Sequence, residues 1–447
     1  MAHSLAILSG WGRVARSASV TWRPDAVADL AGLFRESARA HGLIAHGAGR
    51  AYGDCALNAQ GVALLSAGLD RVIAFDPATG DIQVEPGVTF RRLMATYLPQ
   101  GWLVPVSPGT GYATIGGAVA NDVHGKNHEA AGSFCAHVTG LDLLTPDGAT
   151  RTIGPGREDP LFRATCGGLG LTGVITRVAF RMKRVPGPGV AVRSRRLSSL
   201  DSFLAAMDAA KDATYAVGWI DGCARGASLG RGILETAEPS GGACPPPPAA
   251  GLRVPFDLPA FVLGPASVSA FNALYYRRAP ASGRVADVPY VKFFYPLDAL
   301  RDWNRIYGKR GFHQFQNVVP FESGDAALRD LLGVIAESRR ASFLAVLKRL
   351  GPAAQDAGPL SFPQAGYTLA LDFPAGPGIE DLYARLVDIT LTHGGRVYLA
   401  KDALLTPDAF RAMYPRWREF VGILDQVDPA RRLQSDMSRR LRLREPA

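Results

Sequence analysis

At 447 residues the chain is too long for one compact core, so two domains are the natural expectation. An apolar fraction of 47% beside 20% charged residues excludes a disordered or fibrous chain, and no self-similar period of the solenoid kind is present. Lys and Arg (49) outnumber Asp and Glu (40), a net charge of +9 that favours anionic partners.

The run from Met1 to Gly10 lacks a basic start and a full apolar core, so it is not read as a signal peptide. No apolar run reaches membrane-spanning length, and a soluble, cytoplasmic chain that at most touches a membrane is expected. Val27, Leu30, Leu33 and Phe34 repeat at helical spacing between Asp25 and Ala40, with Gly42 as the stop. The apolar strand Leu43–Ala45 runs straight into His46-Gly47-Ala48-Gly49-Arg50-Ala51-Tyr52-Gly53-Asp54. Val72–Phe75 and Ile82–Glu85 flank the turn residues Asp76–Asp81, which predicts a strand–turn–strand unit. A helix over Thr89–Tyr97 and an apolar strand over Trp102–Val106 follow, and strand signals return at Val138–Leu144 and Val174–Phe180. This mix of short strands and helices predicts an α+β fold rather than a regular α/β alternation.

Composition shifts after Arg184, and Val185–Gly189 reads as a linker. Ser240–Gly251 contains Pro245-Pro246-Pro247-Pro248, cannot form helix or central strand, and reads as a mobile loop. Leu252–Tyr276 is apolar but broken by Pro and Gly. It reads as an ordered loop packed on the core or as a flap facing a greasy ligand or lipid, and the neighbouring prolines favour a mobile flap. The five cysteines (Cys55, Cys135, Cys166, Cys223, Cys244) form no Cys-x-x-Cys pair and no metal spacing with His, so reduced thiols and no metal site are expected. The basic clusters Arg193–Arg196 and Arg431–Arg444 read as solvated faces without any nucleic-acid-binding signature, so nucleic acid is not an expected partner.

Three glycines between His46 and Asp54, directly after a strand, let backbone N–H groups approach phosphate oxygens. Taken alone, such a loop is an ordinary turn. It is not the Rossmann pattern either, because no G-x-G-x-x-G opens a helix and no acid follows at the expected distance. A second segment runs from Pro108-Gly109-Thr110 through Thr114-Ile115-Gly116-Gly117 to Asn121-Asp122-Val123-His124-Gly125-Lys126. It places Gly116-Gly117 at a helix start, where bare N–H groups can meet a pyrophosphate. Gly132-Ser133 and Gly167–Gly173 add further close-approach segments, and together they point to a dinucleotide site.

The runs that carry a resemblance span the chain. They are Leu8-Ser9-Gly10-Trp11-Gly12-Arg13, Gly49–Asp54, Val123-His124-Gly125-Lys126-Asn127-His128 and Ala131-Gly132-Ser133-Phe134. Phe294-Tyr295-Pro296-Leu297-Asp298, Trp303-Asn304-Arg305, Ser361-Phe362-Pro363, Ala400-Lys401-Asp402 and Ser435–Leu441 follow in order. On these residues the chain resembles the vanillyl-alcohol-oxidase superfamily, and within it is similar to the decaprenylphosphoryl-ribose 2-oxidases of arabinan biosynthesis.

The resemblance implies a two-lobed FAD-binding (PCMH-type) domain over 1–185, completed by a C-terminal segment over 391–447. A substrate-binding domain on an antiparallel sheet is inserted over 190–390. Related oxidases often bond the flavin to a His just after the paired glycines; Arg50 stands there and cannot form that bond, so non-covalent FAD is expected. Cofactor contacts are implied for Gly47, Gly49, Arg50, Tyr52 and Gly53, then for Pro108, Gly109, Thr110, Thr114, Gly116 and Gly117. Asn121, Asp122, His124, Gly125 and Lys126 continue the set, with Gly132, Ser133, Gly173, Val174, Tyr398 and Lys401.

Catalysis is implied for Lys401 and Tyr52, with His124 assisting. Without the resemblance, Lys401 reads as a surface lysine, Tyr52 as a packed aromatic and His124 as a satisfied polar side chain; the role of His124 stays open between the two. Lys126, Trp219, Gln314, Gln316, Lys348, Thr368 and Ala370 are implied for the substrate pocket. Lysines suit a phosphate-bearing sugar, amides suit its hydroxyls, and Gln314 and Gln316 alternate so that both face one side of a strand. The chain departs from mycobacterial relatives at Val217, Thr368 and Ala370, where they carry Ser, Asn and Cys, and at Phe294-Tyr295.

The implied reaction is oxidation of the ribose 2-hydroxyl of a polyprenylphosphoryl-β-D-ribose to the 2-keto sugar by hydride transfer to flavin N5. A short-chain reductase then completes epimerisation to the arabinose form, and peripheral contact with the inner membrane suits the lipid substrate. Two alternatives stand beside it: an oxidase of a soluble polyol or aldonolactone, and a flavin-holding scaffold for a partner reductase.

Overall fold

Side chains alternate between the two faces of a strand, and that alternation separates core from cavity in the largest layer of this fold. The computed structural model describes residues 3–37, 41–242, 251–281, 283–340, 343–354 and 357–445. Its eight-stranded antiparallel sheet runs in the order Arg284–Pro289, Gly189–Leu197, Gly232–Ser240, Tyr215–Ile220, Ala345–Leu350, Gly366–Pro374, Phe312–Val319 and Arg396–Val397. Phe315, Leu347, Leu369 and Leu371 share one face, where they pack with the helices Leu200–Ala209, Phe321–Ser338 and Ile379–Thr392 through Phe203, Leu331 and Leu386. Gln314, Gln316, Val346, Lys348 and Ala370, one residue out of phase, line a cavity on the other face.

The N-terminal part supplies the opposite wall of that cavity. His3–Ser9, Arg16–Trp22, Val62–Leu65 and Leu43–His46 form a four-stranded sheet, antiparallel in its first pair and parallel in the others. Val72–Phe75, Asp81–Val84, Val174–Arg181, Val138–Leu144 and Thr150–Ile153 form a five-stranded antiparallel sheet. The fold is α+β, as composition and spacing predict. The C-terminal residues return to the first sheet, where Leu433 bridges Leu43 and Asp436 accepts from Ser17 Oγ and Ala59 N. Arg396–Val397, inside the segment expected to complete the FAD domain, instead pairs with Phe312–Val319.

Several local expectations change. The single helix over Asp25–Ala40 becomes one 3₁₀ turn, Val27–Leu30, and a short helix, Leu33–Glu36, because Gly32 at φ 81° breaks the run; residues 38–40 lie outside the described residues. The strand expected over Trp102–Val106 ends at Leu103, since Pro105 has no N–H for a ladder, yet Val104 and Val106 stay in the core. The linker shortens, for Gly189 already begins a strand and Val185 is buried. The four-proline run falls in residues 243–250, outside the described residues. Instead of an irregular flap, Leu252–Tyr276 holds a short strand, Leu252–Arg253, a turn, Ala260–Leu263, and much of the helix Pro265–Arg278.

One ionic junction ties the two ends of the chain. Arg440, on the helix Asp436–Arg440, meets the carboxylates of Asp54 at 2.8 Å and Asp402 at 2.9 Å and donates to Leu405 O. Asp402 is fully buried and also accepts from Tyr383 Oη and from the backbone of Leu404 and Leu405. Removing the cation leaves two buried carboxylates without compensation. Arg440→Met is expected to lower unfolding free energy by about 3 kcal/mol in denaturant titrations, the lower end for a broken buried pair, because Arg440 is itself partly exposed.

Candidate active site

The strand Leu43–His46 delivers the first glycine loop, and Gly47 lets it approach the second: a Cβ there would stand 2.6 Å from Thr114 Oγ1. That hydroxyl caps the helix Ile115–Ala120 by accepting from Gly117 N at 3.3 Å. Between the loops lies a cavity of about 790 Å³ that continues to the large sheet. A Cβ on Gly109 would meet nothing within 4 Å, so this backbone faces open space. Arg50 Nε, Asn121 Oδ1 and His124 Nδ1 are buried without hydrogen-bond partners among the described residues, and all three residues line the cavity. A large ligand with both donors and acceptors answers that set, and FAD fits it. Arg50 stacks over the rings of Trp11 at 4.1 Å and Tyr112 at 5.0 Å, which holds its guanidinium in the first loop.

Most of the residues implied for the cofactor come together here. Gly47, Gly49, Arg50, Tyr52 and Gly53 line the cavity with Pro108, Gly109, Thr110, Thr114, Gly116 and Gly117, and Asn121, His124, Gly125, Lys126, Gly173, Tyr398 and Lys401 join them. Asp122, Gly132, Ser133 and Val174 do not line it. Asp122 accepts from Ser361 Oγ and Cys135 N, Ser133 bridges the backbone of His124, and Val174 packs in the N-terminal core, so they support the loops from behind. On the substrate side Trp219, Gln314, Gln316, Lys348 and Ala370 line the cavity, while Thr368 stands behind it and accepts from Gln316 Nε2 at 3.2 Å.

Lys401 and Tyr52 meet because their loops share a backbone hydrogen bond, Tyr52 N to Ala400 O at 3.0 Å. The Lys401 ammonium sits 3.7 Å from the centre of the Tyr52 ring. Burial pulls Lys401 down to about 7, partly opposed by the carboxylate of Asp372 and reinforced by Lys348. Burial pushes the Tyr52 phenol well up, so it stays protonated. His124 is held well below its ordinary value by burial and by the nearby Lys348, and its Nε2 accepts from Gln316 Nε2 at 2.9 Å. With the Gln316 amide nitrogen as the donor in that pair, the neutral ring carries its proton on Nδ1.

Lys126 donates to Phe293 O and lies over the Phe293 ring at 4.0 Å. Burial brings both Lys126 and Lys348 down to about 8, and each lies close enough to another charge to feel it: Lys126 feels Glu235, and Lys348 feels Lys126. The same cavity also has an apolar part, lined by Val262, Leu263, Phe271, Tyr275 and Phe343, with Trp219 packed edge-on against Tyr275 at 4.8 Å.

Sequence reasoning assigned no role to three residues. Trp11 and Asp298 lay in matching runs without one; Asp298 accepts from Thr110 Oγ1 and Gly111 N, both at 2.8 Å, and so fixes the second loop. Asp372 carried no signal beyond being a carboxylate in an apolar strand.

A family model described as an FAD binding domain matches residues 18–154, and one described as D-arabinono-1,4-lactone oxidase matches residues 308–441. The decaprenylphosphoryl-beta-D-ribose oxidase of Mycolicibacterium smegmatis is 37% identical over 98% of this chain and 97% of its own length. The L-gulono-1,4-lactone dehydrogenase of Mycobacterium tuberculosis is 23% identical over 97% of this chain and 99% of its own.

Gly109→Val separates cofactor binding from folding, since the added side chain enters open cavity rather than protein. The variant is expected to keep its far-ultraviolet circular dichroism while its flavin affinity falls by about tenfold or more, a loss of roughly 1.4 kcal/mol. Flavin absorbance per protein after gel filtration measures it.

Proposed function

This chain belongs to the decaprenylphosphoryl-beta-D-ribose oxidase family of FAD-dependent oxidoreductases in the vanillyl-alcohol-oxidase superfamily, and we propose that it oxidises the ribose 2-hydroxyl of a polyprenylphosphoryl-β-D-ribose to the 2-keto sugar. One observation carries the choice of substrate. A single cavity holds Lys401 and Tyr52 together with two further buried lysines and an apolar wall, the three kinds of surface that a sugar, a phosphate and a prenyl chain call for. Lys126 and Lys348 hold the phosphate, Gln314 and Gln316 the ribose hydroxyls, and Trp219 and Ala370 the apolar wall, with Thr368 orienting Gln316.

Bound FAD, held by the two glycine loops without a covalent bond, supplies the acceptor for the hydride that leaves C2. The hydroxyl proton must leave as well. Lys401, with both protonation states populated near neutrality, takes it on Nζ. The ammonium so formed offsets the negative charge that builds up at the reacting centre. Tyr52 stays a neutral phenol and holds Lys401 against its ring, and His124 offers its Nδ1–H as a donor.

The keto product then passes to a separate short-chain reductase. No helix among the described residues is long and apolar enough to cross a membrane. Peripheral contact with the inner membrane is supported by the exposed Leu252, Phe256, Phe261 and Leu274, with Arg253, Arg277 and Arg278 close by in sequence. We divide the chain into an FAD-binding domain over 1–185, a substrate domain over 190–390 and a completing segment over 391–447.

A second reading, an aldonolactone oxidase, is favoured by the lactone-oxidase model over residues 308–441. A soluble lactone offers no anion to Lys126 and Lys348 and no chain to the apolar part of the cavity. Anaerobic mixing decides between them: prenylphosphoryl-ribose is expected to bleach the flavin band, whereas aldonolactones and free pentoses leave it unchanged. Lys401→Met is expected to slow that bleaching by about a hundredfold or more. Acid precipitation should release all flavin to the supernatant; colour kept in the pellet would contradict a non-covalent site.

A further inference from the structure

Exposed apolar side chains gather where the apolar part of the cavity reaches the surface. The turn Ala260–Leu263 leaves Phe261 77% exposed while its neighbours Val262 and Leu263 line the cavity. Gly264 N and Ser267 Oγ both donate to Phe261 O, which bonds that turn to the helix Pro265–Arg278. The helix is held by its buried Val268 and Asn272, and Asn272 Nδ2 donates to Asp221 Oδ1 at 2.8 Å. Phe271 and Leu274, three residues apart, share its exposed side. Phe271 also stacks on Tyr275 at 5.9 Å, and both line the cavity. So does the exposed Leu300, which pairs in register with the exposed Leu252. Side chains of the cavity wall thus continue into an apolar surface patch.

Positive charge borders the patch. Residues 251–281 contain one carboxylate, Asp257, and Arg13 pairs with it at 2.6 Å. Arg277 and Arg278 end the helix and are exposed. The sheet edge runs beside them: Arg196 N donates to Pro280 O, and its guanidinium lies over the Tyr276 ring at 5.8 Å. Across that ladder Arg193 faces the exposed Val285, and Ser194 faces Arg284. Arg231 and Arg253 pair with Asp221 and Asp302, but among the described residues none of Arg193, Arg195, Arg277, Arg278 and Arg284 is in an ion pair. From sequence the Arg193–Arg196 cluster is a solvated face; the fold sets it beside an apolar one. An apolar patch rimmed by unpaired arginines suits anionic lipid, with the guanidinium heads at the phosphates and the stems along the acyl boundary. A second copy of this face would bring like charge against like charge, which opposes that occupant.

We propose that this face seats on an anionic bilayer and that the cavity opens onto it at Phe271 and Leu300, so that a prenyl chain passes from lipid into the cavity without crossing water. Phe261 and Leu274 enter the acyl boundary, and Arg193, Arg277, Arg278 and Arg284 meet the headgroup phosphates. An apolar chain moved this way never pays the cost of hydration. The passage of the chain rests on the prenylphosphoryl-ribose reading, whereas the seating rests on the surface alone.

Flavin-loaded protein without substrate is sedimented with vesicles of phosphatidylcholine alone, or of phosphatidylcholine and phosphatidylglycerol in equal parts. Binding is expected to the mixed vesicles and to fall with salt. Phe261→Ser combined with Leu274→Ser should weaken it by about tenfold or more, and Arg277→Gln combined with Arg278→Gln by a similar factor. Ile7→Ser, equally exposed but on the four-stranded sheet, should leave it unchanged. Flavin absorbance and circular dichroism check the fold of each variant, and the arginine pair decides the matter should the serine pair not fold. No binding, equal binding to both kinds of vesicle, or an equal loss with Ile7→Ser overturns the proposal. So does a dimer in gel filtration that the serine pair dissolves, for a second copy then covers the face. The opening is read separately, with prenylphosphoryl-ribose in the mixed vesicles. There the serine pair should raise KM by about tenfold while leaving KM for a short-chain, water-soluble analogue unchanged, and an equal rise for both overturns the opening. Vesicle binding without flavin bleaching by either compound upholds the seating, and that failure falls on the proposed substrate alone.

Discussion

Backbone contact between Gly53 and Asp402 is the constraint on which the site depends. A Cβ at Gly53 would overlap the Asp402 carbonyl oxygen, so only glycine lets the first loop and the C-terminal return lie against one another. The neighbouring residues, Tyr52 and Lys401, inherit that closeness and stack at 3.7 Å. Arg440 then locks the junction by spanning Asp54, the residue after Gly53, and Asp402 itself. The geometry of two side chains at opposite ends of the chain thus follows from one close approach and one ion-pair network. A loop on rigid supports of this kind is how a reacting pair keeps its distance without a covalent tie.

Burial gives the lysines of the cavity a second property. Lys126, Lys348 and Lys401 are each pulled below the ordinary lysine value chiefly by loss of water, and Lys348 and Lys401 are lowered further by a neighbouring ammonium. In a medium less polar than water such repulsion is poorly screened. An anion that enters relieves it, so the same arrangement that favours phosphate also keeps Lys401 near the pH where an amine can take a proton. Two carboxylates offset different lysines, Glu235 acting on Lys126 and Asp372 on Lys401.

On the substrate wall, side chains rather than backbone set the surface. Ala370 stands between Gln316 and Val346 in the register, where a longer polar side chain would compete for the Gln316 amide. With alanine there, Gln316 is free to join His124 to Thr368. Val217 lies opposite Glu235, and both line the cavity. The flavin side, by contrast, is built from backbone and glycine, which leaves little room for exchange.

What the sequence determined by itself is what depends on neighbours along the chain. The helix over Thr89–Tyr97, the helix start at Gly116-Gly117, the strand–turn–strand at Asp76–Asp81, the glycine loops and the shared face of Gln314 and Gln316 all follow from short-range pattern. The matching runs at Gly49–Asp54 and Ala400–Asp402 by themselves single out Tyr52 and Lys401. Tertiary structure decided the rest. Leu252–Tyr276 contains most of a helix that periodicity hid, because its apolar residues lie on several sides and only Val268 and Asn272 are buried. Asp122, Ser133 and Val174 sit in glycine-rich runs yet face away from the cavity, a distinction set by packing rather than by position in a motif. Asp372 shows the limit most plainly. A carboxylate in a strand has no partner in its own sequence, and its neighbours appear only when the register sets it against Gln314 and Tyr307 reaches it.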